Sequence, residues 1–149
     1  MGSAAPATVQ GTIEAALVAA LGSLTPPWQL SRLTWHQFPG ADPLAVEALA
    51  FAVGLETSSA VPPGRQSRGA ADHTPVETEV GVRFTSRIRP DAAVEDYRVA
   101  LEREAVLVRS CLGIQQAPLT WRGVERSVVA DGTLFLGDLR FSCYHYYPI

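Results

Sequence analysis

From Val76 to Ile88 the chain alternates without a break. Val76, Thr78, Val80, Val82, Phe84, Ser86 and Ile88 fall on one side, and Glu77, Glu79, Gly81, Arg83, Thr85 and Arg87 on the other. Side chains of a strand point alternately to two faces. The pattern therefore predicts a strand of an antiparallel sheet, with one face on a core and one left polar. The polar side runs from acidic at Glu77 to basic at Arg87. It reads either as a solvated face or as a face that meets a neighbouring subunit.

The residues on either side of this strand extend the frame. Pro90 ends it, and Asp91 is placed to cap a helix running to about Leu112, with Gly113 just beyond. Val94, Tyr97, Leu101, Ala105, Val108 and Leu112 follow helical spacing and form its expected core stripe, with Glu95, Arg98 and Glu102 able to pair outside it. Near the start, Thr8 is a candidate cap for a helix to about Leu21, striped by Val9, Ile13, Leu17 and Leu21 and stopped by Gly22, Pro26 and Pro27. Residues Trp28 to Phe38 are rich in aromatic and apolar side chains, which predicts a strand, and Pro39 to Pro43 a turn. In Leu44 to Leu55, Asp42-Pro43 and Gly54 would suit the start and stop of a helix, whereas the second half alternates at Leu49, Phe51, Val53 and Leu55 and is read as strand. Leu119 to Ala130 and Thr133 to Tyr147 form a closing hairpin around Asp131-Gly132, a pair suited to a turn that needs positive φ at both central residues.

These elements predict a single α+β domain over residues 1–149: a mostly antiparallel sheet of four to five strands with two helices packed on one face. The first seven residues are expected to be a loose terminus. Thr57 to Pro75 reads as a long polar loop, a length usually kept for function or for ordering on a partner.

Composition narrows the function. Hydrophobic residues make up 47% of the chain and charged residues 18%, which fits a folded globular protein. The net charge is -3, and all 12 basic residues are arginine. An arginine-only basic set follows either from a GC-rich genome or from selection for bidentate pairing at interfaces. Without a basic tail or lysine run, non-specific nucleic-acid binding is not expected. Cys111 and Cys143 lie among apolar residues and are expected to be buried, reduced thiols. The start Met1-Gly2-Ser3-Ala4 carries no positive charge of the kind a secretory signal shows, and the apolar run Ala15 to Leu21 is too short to span a bilayer, so synthesis in the cytosol is expected.

Catalytic groups do not converge in the pattern. His73 lies in the long loop, while His145 alternates with core residues and His36 follows Trp35. The nucleophile-elbow, zincin, phosphate-loop and dinucleotide-binding motifs are absent from the sequence. Cys143 and His145 share a strand face, but nothing near them in sequence orients a base, and apolar neighbours raise a thiol pKa. No catalytic, cofactor-binding or metal-binding residue is therefore expected. Tyr144 and Tyr146 fall on the face turned away from the core, which suits an interface.

The opening helix around Thr12 to Leu17, the strand around Phe51 to Leu55, and the block of strand, Pro90, helix and closing strand from Val80 to Tyr146 together resemble the tail terminator, or tail completion, proteins of long-tailed bacteriophages. The resemblance covers most of the chain in pattern and rests on no signature motif. It implies a ring, hexameric in that family, that caps the finished tail tube, ends its polymerisation and joins it to the head connector. It implies no enzymatic activity and no cofactor, a place in the virion after synthesis in the host cytoplasm, and DNA passing through the lumen without specific binding. On that basis Arg65, Arg68, Arg83, Arg87, Arg89, Tyr144 and Tyr146 are the expected interface or lumen residues. Reversing Arg83 and Arg87 is expected to block assembly with the monomer still folded. Two other readings stay open: another ring protein of the neck or head–tail connector, and a small ligand-binding or enzymatic α+β domain.

Overall fold

The computed structural model describes residues 6–40, 49–61 and 73–148. In chain order the elements are α1 (Pro6–Gly22), β1 (Gln29–Leu30), β2 (Ala50–Ala60), β3 (His73–Arg87), α2 (Ala93–Leu112), β4 (Leu119–Val129) and β5 (Leu134–Pro148). The strands form one sheet in the order β1-β2-β3-β5-β4. Only β1 runs parallel to its neighbour; every other pair is antiparallel. The predicted α+β class and the two helices packed against a mostly antiparallel sheet are what the structure shows.

Both helices cover one face. Val9, Ile13, Leu17 and Leu21 of α1 are all buried, as their spacing predicts. They meet Phe51 and Val53 of β2, Val80, Val82 and Phe84 of β3, and Phe135, Leu139 and Phe141 of β5 in one cluster. Each such side chain contributes about 1.5–3 kcal/mol by leaving water. The helix begins at Pro6, ahead of Thr8; proline is at home in a first turn, where its missing N–H leaves no bond unmade.

On α2 the buried line is not the expected one. Asp96, Ala100, Glu104, Leu107 and Cys111 face the sheet, whereas Val94, Tyr97 and Leu112 are exposed. The two lines have the same spacing and differ by one position, about 100° of rotation. Hydrophobicity points to the wrong line because the right one contains two carboxylates. Each is matched by a guanidinium: Asp96 by Arg89, at 2.9 and 3.0 Å, and Glu104 by Arg126 of β4, at 2.8 Å twice. Paired in this forked way, a carboxylate can sit at the edge of a core. Asp91 does not cap α2. It lies in a short 3-10 turn, Pro90–Ala92, and no side chain caps the helix there.

Two more expectations are corrected. The strand predicted over Trp28 to Phe38 shrinks to Gln29–Leu30, because the chain then leaves the sheet plane to cover the other face. A turn closed by Gln37 N–H to Thr34 O (2.9 Å) and Thr34 N–H to Gln37 Oε1 (2.7 Å) presents Trp35, and Phe38 follows in a 3-10 turn. The loop expected over Thr57 to Pro75 is strand at both ends, and its residues 62–72 lie outside the described residues. Ser58, Ser59 and Ala60 pair with Thr78, Glu77 and Val76, since polar residues do not stop an antiparallel ladder. The strand expected to end at Leu55 thus continues to Ala60. The turn between β4 and β5 follows prediction: Asp131 (φ 55°) and Gly132 (φ 83°) are its centre, closed by Thr133 N–H to Ala130 O at 3.2 Å. In β4 one extra residue, Arg122, stands between Trp121 and Gly123 against two consecutive residues of β5, a bulge.

Trp35 has a prepared seat. Gly54 and Gly81 are cross-strand partners, and a Cβ on either would stand 2.6 Å from the Trp35 ring. Replacing Gly81 with Ala is expected to cost about 1–3 kcal/mol in urea unfolding, by forcing the indole off the sheet. In a Trp35→Ala background that cost is expected to fall towards zero. An equal cost in both backgrounds would show that the glycine is there for another reason.

Candidate functional site

The face of the sheet away from the helices gathers the polar side chains. Its positions on β3 are Glu77, Glu79, Gly81, Arg83 and Thr85; those on β5 are Asp138, Arg140, Ser142, Tyr144 and Tyr146. Trp35 lies over the Gly54–Gly81 pair, with Phe38, Ala52 and Leu136 as its apolar neighbours. The Arg83 guanidinium is stacked 3.5 Å from the Trp35 ring centroid, and that of Arg140 lies at 5.4 Å. Such contacts are worth about 0.5–2 kcal/mol, more as water is excluded.

Asp138 joins the two arginines. Its Oδ2 accepts from Arg83 Nη2 at 3.2 Å and from Arg140 Nη2 at 2.7 Å, and Arg140 also pairs with Glu56 of β2. Arg83 Nη1 donates to the Trp35 carbonyl at 2.8 Å, tying the covering segment to the sheet. Burial pushes the Asp138 carboxyl above the ordinary range, while Arg83 pulls it back. Four buried atoms have no hydrogen-bond partner among the described residues: Trp35 Nε1, Arg83 Nε, Thr85 Oγ1 and Asp138 Oδ1. All four belong to this patch.

Beside this patch runs an open groove of about 650 Å³, walled by Glu77 and Glu79 on one side and by Arg122 and Glu125 on the other, with Arg140 and Ser142 on its floor. The bulge aims Arg122 into it, where it donates to Glu77 at 2.7 Å and to Ser142 at 3.1 Å. The groove mixes both signs of charge, which suits polar contact with another protein surface more than capture of a single ion.

The expected interface residues divide into separate groups. Tyr144 and Tyr146 lie on the open face, as expected, with rings 5.5 Å apart and nearly perpendicular. Arg87 is exposed at the end of β3. Arg89 is committed to Asp96: its backbone N–H, Nε and Nη2 all donate to that carboxylate. Arg83 is turned into its own chain with 13% of its side chain exposed, so reversing its charge is not a neutral surface change as expected. Arg65 and Arg68 lie outside the described residues. Sequence reasoning missed Trp35, Asp138, Arg122 and Arg140. The available signal was two glycines in central strands, Gly54 and Gly81, each asking what large group its missing side chain admits.

His145, Cys111 and Cys143 take structural places. His145 is buried and its Nε2 hydrogen-bonds Thr78 Oγ1 at 2.7 Å; Thr78 Oγ1 is in turn 2.7 Å from Ser58 Oγ. Burial raises both thiols, that of Cys111 to about 12, which leaves them protonated and unreactive near neutral pH. Among the described residues no group of three or more His, Cys, Asp or Glu is placed to hold a metal ion, and no helix is long and apolar enough to cross a membrane.

Two measurements check the electrostatics. The hydrogen bonds from the Arg89 side chain and backbone hold Asp96 down to about 2. Its contribution to stability is therefore complete above about pH 4, the unfolded-state range, and is lost as pH falls through 2. Asp96→Asn is expected to flatten the fall in thermal midpoint between pH 4 and 2, and an unchanged slope would mean the pair contributes nothing. Arg83→Glu alone is expected to destabilise the monomer by about 3–5 kcal/mol in urea unfolding, because it leaves Asp138 buried beside a second negative charge; native stability in that variant would contradict the buried pair. No family model matches this sequence, and no curated protein matches it.

Proposed function

We propose that the chain is a structural subunit of a long-tailed phage particle, acting as a tail terminator: a homo-oligomeric ring, hexameric by the resemblance, that caps the tail tube, ends its growth and joins it to the head connector. The observation that carries this reading is the division of the molecule into a covered face and an open one. Both helices pack on one side of the sheet, and the other side presents charged strands, a mixed-charge groove and a tyrosine pair. The order of elements is the order on which the resemblance rests.

The chemistry of the open face supports recognition of protein. Arginine and tyrosine are the residue types that anchor protein interfaces, and mixed charge sets register between partners. Arg122, Arg140, Tyr144 and Tyr146 now stand in the place given earlier to Arg83. The net charge of -3 fits a lumen that lets DNA pass without holding it. In the particle the ring has three kinds of neighbour: copies of itself, the tube protein and the connector protein.

Tail tubes grown in vitro with and without the purified full chain give the test. Negative-stain microscopy is expected to show rings at tube ends and a narrow distribution of tube lengths, where tubes alone run on. A chain that stays monomeric with and without tubes, and leaves tube length unchanged, would end this reading.

A further inference from the structure

A diagonal of alternating charge crosses the open face. Glu79 of β3 lies opposite Ser142 of β5, Arg140 of β5 opposite Gly81, and Glu125 of β4 opposite Asp138. Glu79, Arg140 and Glu125 therefore fall on one line over three strands, each step one strand across and two residues along. Diagonal neighbours of this kind are about 7–8 Å apart, so the glutamates stand about 15 Å apart with the arginine midway. All three line the open groove. The line is one cation short at each end. Arg122 is taken by Glu77, and Arg140 by Asp138 and Glu56. Glu79 and Glu125 are exposed and, among the described residues, in no ion pair. Asp138, directly across from Glu125, marks that end a second time. Both arginines bond its Oδ2, while its Oδ1 is buried with no hydrogen-bond partner among the described residues, on a side chain 8% exposed. Like charges directly opposite one another on a sheet repel. Burial, and in smaller part the charge of Glu125, push the Asp138 carboxyl up.

We infer that the groove takes an extended segment of a partner protein with basic side chains at positions i and i+4 and an uncharged one at i+2, the outer two meeting Glu79 and Glu125 and the middle one lying over Arg140. Charge and spacing select this occupant. Alternate side chains of an extended chain share a face about 6.8 Å apart, so i and i+4 are about 13–14 Å apart, and the reach of a long basic side chain covers the remainder. Arginine suits the ends, since its planar fork donates two N–H groups to one carboxylate; at the Glu125 end the free Asp138 Oδ1 is a further acceptor. Other charged ligands match the line less well. Among the described residues no three acidic, His or Cys side chains gather to hold a metal ion. The cation midway repels a polyamine or a run of basic residues, and phosphates carry the wrong sign for both ends. Such a segment can belong to any protein partner, so the contact requires neither a ring nor a tail.

The probe is the blocked peptide acetyl-Arg-Ser-Gln-Ser-Arg-amide, titrated into the isotope-labelled full chain and followed by amide chemical shifts. Saturable shifts at Glu79, Glu125, Asp138 and Arg140 are expected, with Kd roughly 1 mM or tighter. Glu79→Gln and Glu125→Gln each remove one exposed charge and keep the side-chain shape; each is expected to weaken the peptide about 3- to 10-fold, the loss of one charge pair. A peptide with arginine in the middle as well is expected to bind no tighter despite its extra charge. A peptide with glutamate at both ends is expected to leave these amides unmoved. Shifts that do not saturate, equal shifts from the glutamate peptide, or unchanged affinity in either glutamine variant would overturn the proposal. So would the same shifts produced by magnesium chloride or spermidine, which would make the occupant a free cation, or by concentrating the chain alone, which would make it a second copy. Peptide binding with no effect on tail tubes would sink the tail reading and leave this contact standing.

Discussion

The structure turns on an indole laid across two missing side chains. Gly54 and Gly81 are neighbours in adjacent central strands, and the space their absent Cβ atoms leave is filled by Trp35. Without this seat, the segment after β1 would have no reason to leave the helix side and cross to the other face. With it, Trp35 brings Phe38 over Ala52 and Leu136, supplies a carbonyl to Arg83, and offers its ring to two guanidiniums. The polar patch of the open face is thus arranged around an apolar object. Four of its buried polar atoms have no hydrogen-bond partner among the described residues, and they lie around this ring.

A related device works from the other side. Phe84 occupies the space over Gly137, its cross-strand partner. On each face, then, a large ring lies over a position that carries no side chain. The carboxylates of α2 complete the assembly by charge. Glu104 reaches Arg126 on β4, and Asp96 reaches back to Arg89 before the helix, so the helix is held at its start and at its middle to separate parts of the fold.

How much of this was legible depends on whether a pattern was made by one property or by two. The stripe of α1 and the alternation of β3 are written in hydrophobicity alone, and both read correctly. So did the Asp131-Gly132 turn, where backbone φ is the deciding property. The face of α2 misread because its buried line mixes Leu107 and Cys111 with Asp96 and Glu104, whose partners lie 7 and 22 residues away. Residues 31–40 misread because Trp35 and Phe38 satisfy a strand's composition while serving a different surface. The candidate site was legible at Arg83, Tyr144 and Tyr146, where strand alternation sets the side, but not in the partners that Arg83 finds within its own chain. Asp138 with Arg83 is a contact across 55 residues and leaves no local trace.

The bulge in β4 has a consequence for how this molecule meets anything else. β4 is the last strand of the sheet, and an outer edge of 11 residues is an open invitation to any passing chain of extended shape. Inserting Arg122 breaks the two-residue rhythm partway along, so a visitor that matches the edge from Val124 onward is out of step with it before Trp121. Backbone templating, which is indifferent to the identity of the guest, is thereby cut short. What the edge still offers are particular side chains, and these admit a partner by shape and charge.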